Sequence, residues 1–208
     1  MQVQGGNIFI VTAPSGAGKT TLVAALLAAD RQVQLSVSYT TRLPREGEVH
    51  GRHYHFIDRA TFEAMIGRGE FLEHADVYGN YYGTSETWIR EQLSTGRDIL
   101  LEIDWQGAEQ VRKTFPEAIG VFILPPSVEV LEHRLRSRGK DDEATIQKRM
   151  ASARGEIDHV SNFDYVVINE VLDEAVRDLV SIVRAERLRT LRQQTRHARR
   201  IAAMQSQG

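Results

Sequence analysis

Apolar and polar positions along this chain alternate between two periods, and the switches between them mark out successive elements. Ile8-Phe9-Ile10-Val11 is a short apolar, β-branched run that predicts a buried strand. Thr21 to Leu27 is rich in Leu and Ala and predicts a helix. Val33 to Thr41 then predicts a single strand of alternating residues. Further on, the pattern predicts helices over Glu86–Ser94, Gln106–Lys113, Val128–Leu135 and Glu143–Ile157. Strands are predicted over Asp98–Asp104, Ala118–Leu124 and Tyr165–Asn169. Gly139-Lys140-Asp141-Asp142 predicts a mobile tip. A final helix starts near Leu172, with Leu172, Ala175, Val176, Leu179, Ile182 and Val183 on one buried face. Alternating strands and helices predict an α/β fold with a parallel sheet covered by helices.

Between Arg42 and Thr84 the texture changes. This stretch is rich in Gly, Tyr, His and Arg, with a strand-like piece at His53–Ile57 and a short helix at Arg59–Gly67. It predicts a small mixed lobe inserted into the main sheet.

Composition narrows the function classes. The chain has 208 residues, 41% hydrophobic and 26% charged, which suits one packed α/β unit with insertions. A net charge of -2 gives no global attraction to nucleic acid or anionic membrane. Without cysteine there is no disulfide, thiolate nucleophile or zinc-thiolate site. The first apolar run is too short to span a membrane, so a cytoplasmic protein is expected. Lys19, Lys113, Lys140 and Lys148 are the lysines and every other basic residue apart from histidine is arginine, whose planar fork suits phosphate oxygens.

The most legible chemistry lies between the first strand and helix. Ala13-Pro14-Ser15-Gly16-Ala17-Gly18-Lys19-Thr20 has the form of a phosphate-binding loop, with Ala13 where the usual pattern has Gly. Gly16 and Gly18 let the backbone point N–H groups inward at phosphate oxygens, and the helix N-terminus adds partial positive charge. Lys19 would reach the terminal phosphates, and the Thr20 hydroxyl would ligate Mg²⁺.

Two further groups belong with this loop. Glu102 and Asp104 sit near the carboxyl end of a predicted central strand, two apart and so on one face. One would support Mg²⁺ through water and the other would face a second substrate. In Ser38-Tyr39-Thr40-Thr41-Arg42-Leu43-Pro44-Arg45, two arginines can converge on one phosphate, and tyrosine hydroxyls can add donors. Glu73 and Asp104 can accept the N1–H and amino protons of guanine, with Ser38 and Thr84 completing a polar base pocket.

At this point the sequence resembles the guanylate kinase family. The resemblance is carried by Ala13–Thr20, Ser38…Arg42…Arg45, Gly47-Glu48-Val49…Gly51…Tyr54, Phe71-Leu72-Glu73, Gly79-Asn80-Tyr81-Tyr82-Gly83-Thr84 and Glu102-Ile103-Asp104…Gln106-Gly107. It continues through Arg134…Arg138-Gly139 and Arg149 to Asn169, so it covers nearly the whole chain. It implies a P-loop nucleoside monophosphate kinase that moves the γ-phosphoryl of ATP to GMP or dGMP with Mg²⁺. The implied organisation is a core (1–37, 85–133 and 159–208), a GMP-binding lobe (38–84) and a lid region (134–158). By position, Arg42, Arg45, Tyr54 and Tyr82 would grip the GMP phosphate. Ser38, Glu73, Thr84 and Asp104 would read guanine, with Thr84 where many members have Ser. Arg134, Arg138 and Arg149 would stabilise the transferring phosphates, and Asn169 would join the ATP site.

Other features take plainer expectations. His50, His53 and His55 invite a metal, but a phosphate-facing Tyr54 leaves His53 and His55 on the opposite strand face. The arginines at 184, 187, 189, 192, 196, 199 and 200 predict a solvated helix face, with a homo-oligomer or nucleic-acid contact as the alternative. Trp88 and Trp105 are expected to pack. Two rival functions stand beside the kinase: a non-catalytic interaction module, and a kinase for a phosphorylated sugar. The retained Gly18-Lys19-Thr20 argues against the first, and the base-reading set Glu73, Thr84 and Asp104 against the second.

Overall fold

A computed structural model describes residues 5–206 apart from 78, 138, 140 and 141. It runs β1 (Ile8–Thr12), α1 (Lys19–Ala29), β2 (Val33–Leu35), β3 (Tyr39–Thr40), β4 (His55–Phe56), α2 (Arg59–Gly67), β5 (Phe71–Val77) and β6 (Asn80–Ser85). It continues α3 (Glu86–Ser94), β7 (Asp98–Glu102), α4 (Trp105–Thr114), β8 (Ile119–Leu124), α5 (Val128–Ser137), α6 (Glu143–Ile157) and β9 (Tyr165–Ile168). The chain closes with α7 (Leu172–Arg187), α8 (Thr190–Arg196) and α9 (Ala198–Gln205).

Among the described residues the strands form two sheets. The larger is parallel throughout, in the order β2-β7-β1-β8-β9. Its central strands are apolar on both faces because helices cover both. One face buries Phe9, Val11, Leu100, Val121 and Ile123 against Leu22 and Leu26 of α1 and Leu179 and Val183 of α7. The other buries Ile8, Ile10, Ile99 and Leu101 against Ile89 and Leu93 of α3 and Ala108 and Val111 of α4. The smaller sheet is mixed, in the order β4-β3-β6-β5, and forms the lobe with α2. Phe62 of α2 stacks on Phe71 of β5 at 4.4 Å and fills the lobe's own small core. A third cluster joins α5 and α6 through Leu131, Leu135, Ile146, Met150 and Ala153.

The structure corrects several sequence expectations. Val33–Thr41 is two strands rather than one. β2 leaves the main sheet after the Ser36 N–H meets the Leu100 carbonyl at 2.9 Å, and β3 joins the lobe sheet. The alternating pattern is continuous because both halves are strands, so only the change of partner marks the break. The 53–57 strand shortens to β4, paired in parallel with β3. The final helix ends at Arg187, and two further helices follow. Arg187 is also no part of a solvated face. It is 12% exposed and ion-paired with both Asp30 and Asp98, which ties α7 to the end of α1 and the start of β7.

Candidate active site

The phosphate loop connects β1, at the centre of the sheet, to α1. Gly16 and Gly18 have φ near +97° and +96°, backbone angles that a side chain resists. The loop closes on itself with Ala17 N–H to Pro14 carbonyl at 3.0 Å. It is held from outside by Asn169, 5% exposed, at the end of β9: the side-chain Nδ2 donates to the Ala17 carbonyl at 2.7 Å. A Cβ on Gly18 would collide with that same Nδ2. Arg134 of α5 donates to the Ala17 carbonyl at 3.3 Å and the Asn169 carbonyl at 2.9 Å. The sequence-predicted Asn169 and Arg134, far apart in the chain, therefore meet on the loop.

Lys19 opens α1. Part of its stem reaches the surface while its ammonium is desolvated, and burial pulls its pKa down. The carboxylates of Glu102, Asp104 and Glu156 oppose that shift. Thr20, next in the helix, donates its hydroxyl to Glu102 Oε1 at 3.0 Å. A hydroxyl and a carboxylate held together are the hard oxygen ligands Mg²⁺ prefers, few in number because phosphates and water supply the rest. Among the described residues no group of three or more His, Asp or Glu residues could hold a metal ion. His50 and His53 instead use Nδ1 to accept the Phe56 and Val49 backbone N–H groups.

Asp104 departs from its expected setting. β7 stops at Glu102, and Asp104 caps α4 by accepting the Gly107 N–H at 2.8 Å. It therefore does not share a strand face with Glu102. A carboxylate satisfies orphan amides at a helix start better than it extends a strand. The cap still leaves Asp104 beside the lobe, where its charge bears on Glu73 of β5.

Glu73 is 6% exposed and accepts the Thr84 hydroxyl at 2.6 Å across the β5–β6 ladder. Burial pushes its carboxyl up to about 7, with Thr84 opposing and Asp104 adding. A buried carboxyl with a hydroxyl at its side and a second carboxylate nearby is matched to a ligand edge made of N–H donors. Ser38 lies half-buried between the two sheets, where its carbonyl accepts the His55 N–H.

Arg42 leaves β3 and donates to both carboxylate oxygens of Glu48 at 2.8 and 3.0 Å. Its guanidinium lies 5.5 Å from the Tyr54 ring centroid, and the Tyr54 and Tyr82 rings are 5.8 Å apart. The hydrogen bond to Glu48 holds the Arg42 charge firmly, and burial works against it. The Glu48 carboxyl is pulled down to about 2, first by Arg42 and then by the Arg45 backbone N–H. Arg42, Tyr54 and Tyr82 thus converge, whereas Arg45 is exposed and meets this group through its backbone. Arg149 is half-buried on α6. Arg138 lies outside the described residues.

Two acidic residues had no role assigned from sequence. Glu48 partners Arg42; its signal was the turn that brings it three residues past Arg45. Glu156 of α6 is half-buried; burial raises its carboxyl and the Lys19 charge opposes that. Its spacing of seven from Arg149 puts both on one helix face, which the heptad-like repeat shows once the helix is known. Trp88 packs against the α3–α4 side of the core as expected, while Trp105 stacks on His159.

A glycine-hinged phosphate loop at the centre of a parallel sheet, facing a mixed lobe with an arginine–tyrosine cluster and a buried carboxyl, defines a phosphate-loop nucleotide kinase. A family model described as guanylate kinase matches residues 5–186. The chain is 63% identical over 199 residues to a guanylate kinase of Chromobacterium violaceum, covering 96% of this chain and 93% of that one. It is 64% identical over 192 residues to a guanylate kinase of Aromatoleum aromaticum, covering 92% and 94%. The crystal structure of guanylate kinase from Anaplasma phagocytophilum superposes with a TM-score of 0.75 at 36% identity, over 90% of this chain and 89% of that one. This chain belongs to the guanylate kinase family.

Proposed function

We propose that this chain transfers the γ-phosphoryl group of ATP to GMP or dGMP, giving ADP and GDP or dGDP, and so serves purine nucleotide metabolism. The observation that carries this is the pairing of two compartments: the loop with Lys19 on one side, and the buried Glu73–Thr84 pair beside Asp104 on the other. The first suits a polyphosphate and the second a guanine edge.

Phosphoryl transfer has a loose, highly charged transition state, so the protein mainly positions and offsets charge. The loop of residues 13–20 cradles the donor phosphates with the backbone N–H groups it leaves free, and Lys19 meets the terminal ones. Thr20, and Glu102 through water, fit Mg²⁺ as ligands; when bound, the ion offsets charge between the donor phosphates. Arg42, Arg45, Tyr54 and Tyr82 orient the acceptor phosphate, already an anionic nucleophile, in line with the donor. Arg134, Arg138 and Arg149 meet the transferring group, and Asn169 stays with the donor. Ser38, Glu73, Thr84 and Asp104 read the base. The main sheet would act as core, residues 38–84 as acceptor lobe and 134–158 as lid, and closure would exclude water. We assign the chain to the cytoplasm, acting on free nucleotides rather than nucleic acid or membrane; no helix among the described residues is long and apolar enough to cross a membrane.

The test is direct. The chain is incubated with Mg-ATP and each nucleoside monophosphate in turn, and ADP and diphosphate are followed. ADP and GDP in equal amounts, with little product from AMP, is the expected result. No diphosphate from any monophosphate would leave only a binding module, and a sugar phosphate as acceptor would move the chain to another kinase class.

A further inference from the structure

Glu73 and Asp104 belong to different parts of the molecule. Glu73 lies on β5, the outermost strand of the lobe sheet, and Asp104 caps α4 of the core. The spacing between these two carboxylates therefore depends on what ties β5 to α4. The β5–β6 ladder does not fix it alone. Its register slips between Phe71 and Glu73, so Leu72 is an extra residue and the ladder is disturbed immediately before Glu73. Leu72 joins the core cluster of Ile89 and Leu101, and Glu73 is buried beside it in the chain.

The start of α4 supplies the missing tie. Asp104, Gly107 and Gln110 are three residues apart and share one side of the helix. A Cβ on Gly107 would stand 3.3 Å from Glu73 Oε2, so the glycine leaves the room that the carboxyl occupies. One turn on, the half-buried Gln110 meets the outer edge of β5. Its Oε1 accepts the His74 N–H at 3.2 Å, and its Nε2 donates to the His74 carbonyl at 3.4 Å. An outer strand leaves such N–H and C=O groups unpaired, and here one side-chain amide takes both, as a neighbouring strand would. His74 follows Glu73 directly, so a fixed His74 backbone fixes the point from which the Glu73 side chain starts. Thr84 holds the other end, its hydroxyl 2.6 Å from the carboxyl.

We propose that Gln110 is a positioning residue for base choice: by pairing with the His74 backbone it holds Glu73 of the lobe at the spacing from Asp104 of the core that fits the two donors of a guanine edge. Gln110 touches no substrate itself. Its loss frees β5 to shift against α4, and a carboxylate displaced by a fraction of an ångström meets guanine donors poorly. Adenine lacks those donors and gains nothing from the spacing. This inference rests on the function proposed above.

Gln110→Ala removes both hydrogen bonds at a helix position that alanine suits. Gln110→Glu keeps an acceptor for the His74 N–H and loses the donor to its carbonyl. The measurement is kcat/KM for GMP and for AMP in each variant, with the KM for ATP and a circular dichroism spectrum alongside. In both variants kcat/KM for GMP should fall about tenfold while that for AMP and the KM for ATP move little, so the preference for GMP over AMP narrows by about tenfold. General loosening of the fold lowers both nucleotides alike and leaves their ratio in place. If Gln110→Ala loses its native spectrum, the ratio in Gln110→Glu decides. A GMP-to-AMP ratio that is unchanged or wider in the folded variants overturns the proposal and leaves the kinase assignment intact. Equal use of GMP and AMP by the wild-type chain overturns both.

Discussion

Glu73 is the residue on which the proposed guanine recognition places specificity. Its folded carboxyl titrates at about 7 against an ordinary value of 4.5, because burial disfavours the charge. The folded chain thus keeps a proton that the unfolded chain has released. Stability falls as pH rises from the unfolded value to the folded one and is flat beyond it. The span is worth about 3 kcal/mol at most. Glu73→Gln cannot ionise, so its stability relative to wild type should rise between pH 5 and pH 8 by about 1–3 kcal/mol. Urea denaturation at the two pH values checks this, and parallel curves would refute it. Guanine donors favour the ionised carboxylate, so wild-type GMP affinity should improve as pH rises through about 7. Adenine puts an acceptor where Glu73 needs a donor, so GMP should exceed AMP in kcat/KM by about 100-fold, or 2.7 kcal/mol. Glu73→Gln should narrow that gap. Arg42 is the second such residue. Arg42→Lys keeps the charge but loses the planar fork, and the KM for GMP should rise about tenfold while that for ATP moves little. An unchanged GMP response would remove Arg42 from the acceptor site.

At the scale of elements, the phosphate loop is shaped by its neighbours as much as by its glycines. Gly18→Ala forces a methyl into Asn169 Nδ2 at a positive φ, so the loop and the Asn169 and Arg134 contacts cannot all persist. Turnover should fall by about 100-fold or more, since oriented backbone donors carry the charge stabilisation. The same variant should keep a native circular dichroism spectrum, because the strain is confined to one turn; near-normal turnover would contradict the loop geometry. The far end of the sheet holds a different dependence. Arg187→Ala leaves Asp30 and Asp98 buried without their cation. Breaking such a group costs about 3–5 kcal/mol and should lower Tm by about 10 °C. Asp30 is burdened by burial, yet the Arg187 hydrogen bond holds it below its ordinary value. That contribution is present at neutral pH and lost as pH falls through the carboxylate range. A Tm within about 2 °C of wild type would show that the pair adds little.

At the scale of the whole molecule, the proposed function would couple substrate to shape where the two sheets meet. The lobe joins the core through residues 36–38 and 85–86, and a cavity of about 220 Å³ lined by Ser36, Tyr39, His55, Ser85 and Trp88 sits at that junction. The turn carrying Arg45, Glu48 and Arg52 is largely exposed and is tied to the lobe by the Arg42–Glu48 pair, by the Gly51 N–H to the Tyr54 carbonyl and by the Phe56 N–H to His50 Nδ1. GMP should order this turn by engaging Arg42 and Tyr54. Trypsin cleavage after Arg45 and Arg52, read by mass spectrometry, should slow several-fold with GMP and not with AMP. Equal protection by both nucleotides would separate lobe ordering from base recognition.

Much of this was legible in one dimension because the physics is local. The loop at 13–20 is a contiguous turn between a strand and a helix, and α2, α3 and α6 begin and end where their periodic patterns do. Glu73 and Thr84 are expected from residue type to read a base, and the β5–β6 pairing brings them together, with the Thr84 hydroxyl 2.6 Å from Glu73. What the sequence left open required contacts between distant segments. The Val33–Thr41 run divides between two sheets because Leu100 and Tyr82 offer different partners to its two ends. Asp104 is a cap because β7 ends at Glu102 and α4 begins at Trp105, and Arg187 is buried because α7 brings it against Asp30 and Asp98. Glu156 feels the Lys19 charge only because folding brings α6 near the start of α1. Local order determines which residues can carry charge or turn a chain; which charges meet is decided by tertiary structure, because electrostatic energy depends on distance and burial rather than on position along the chain.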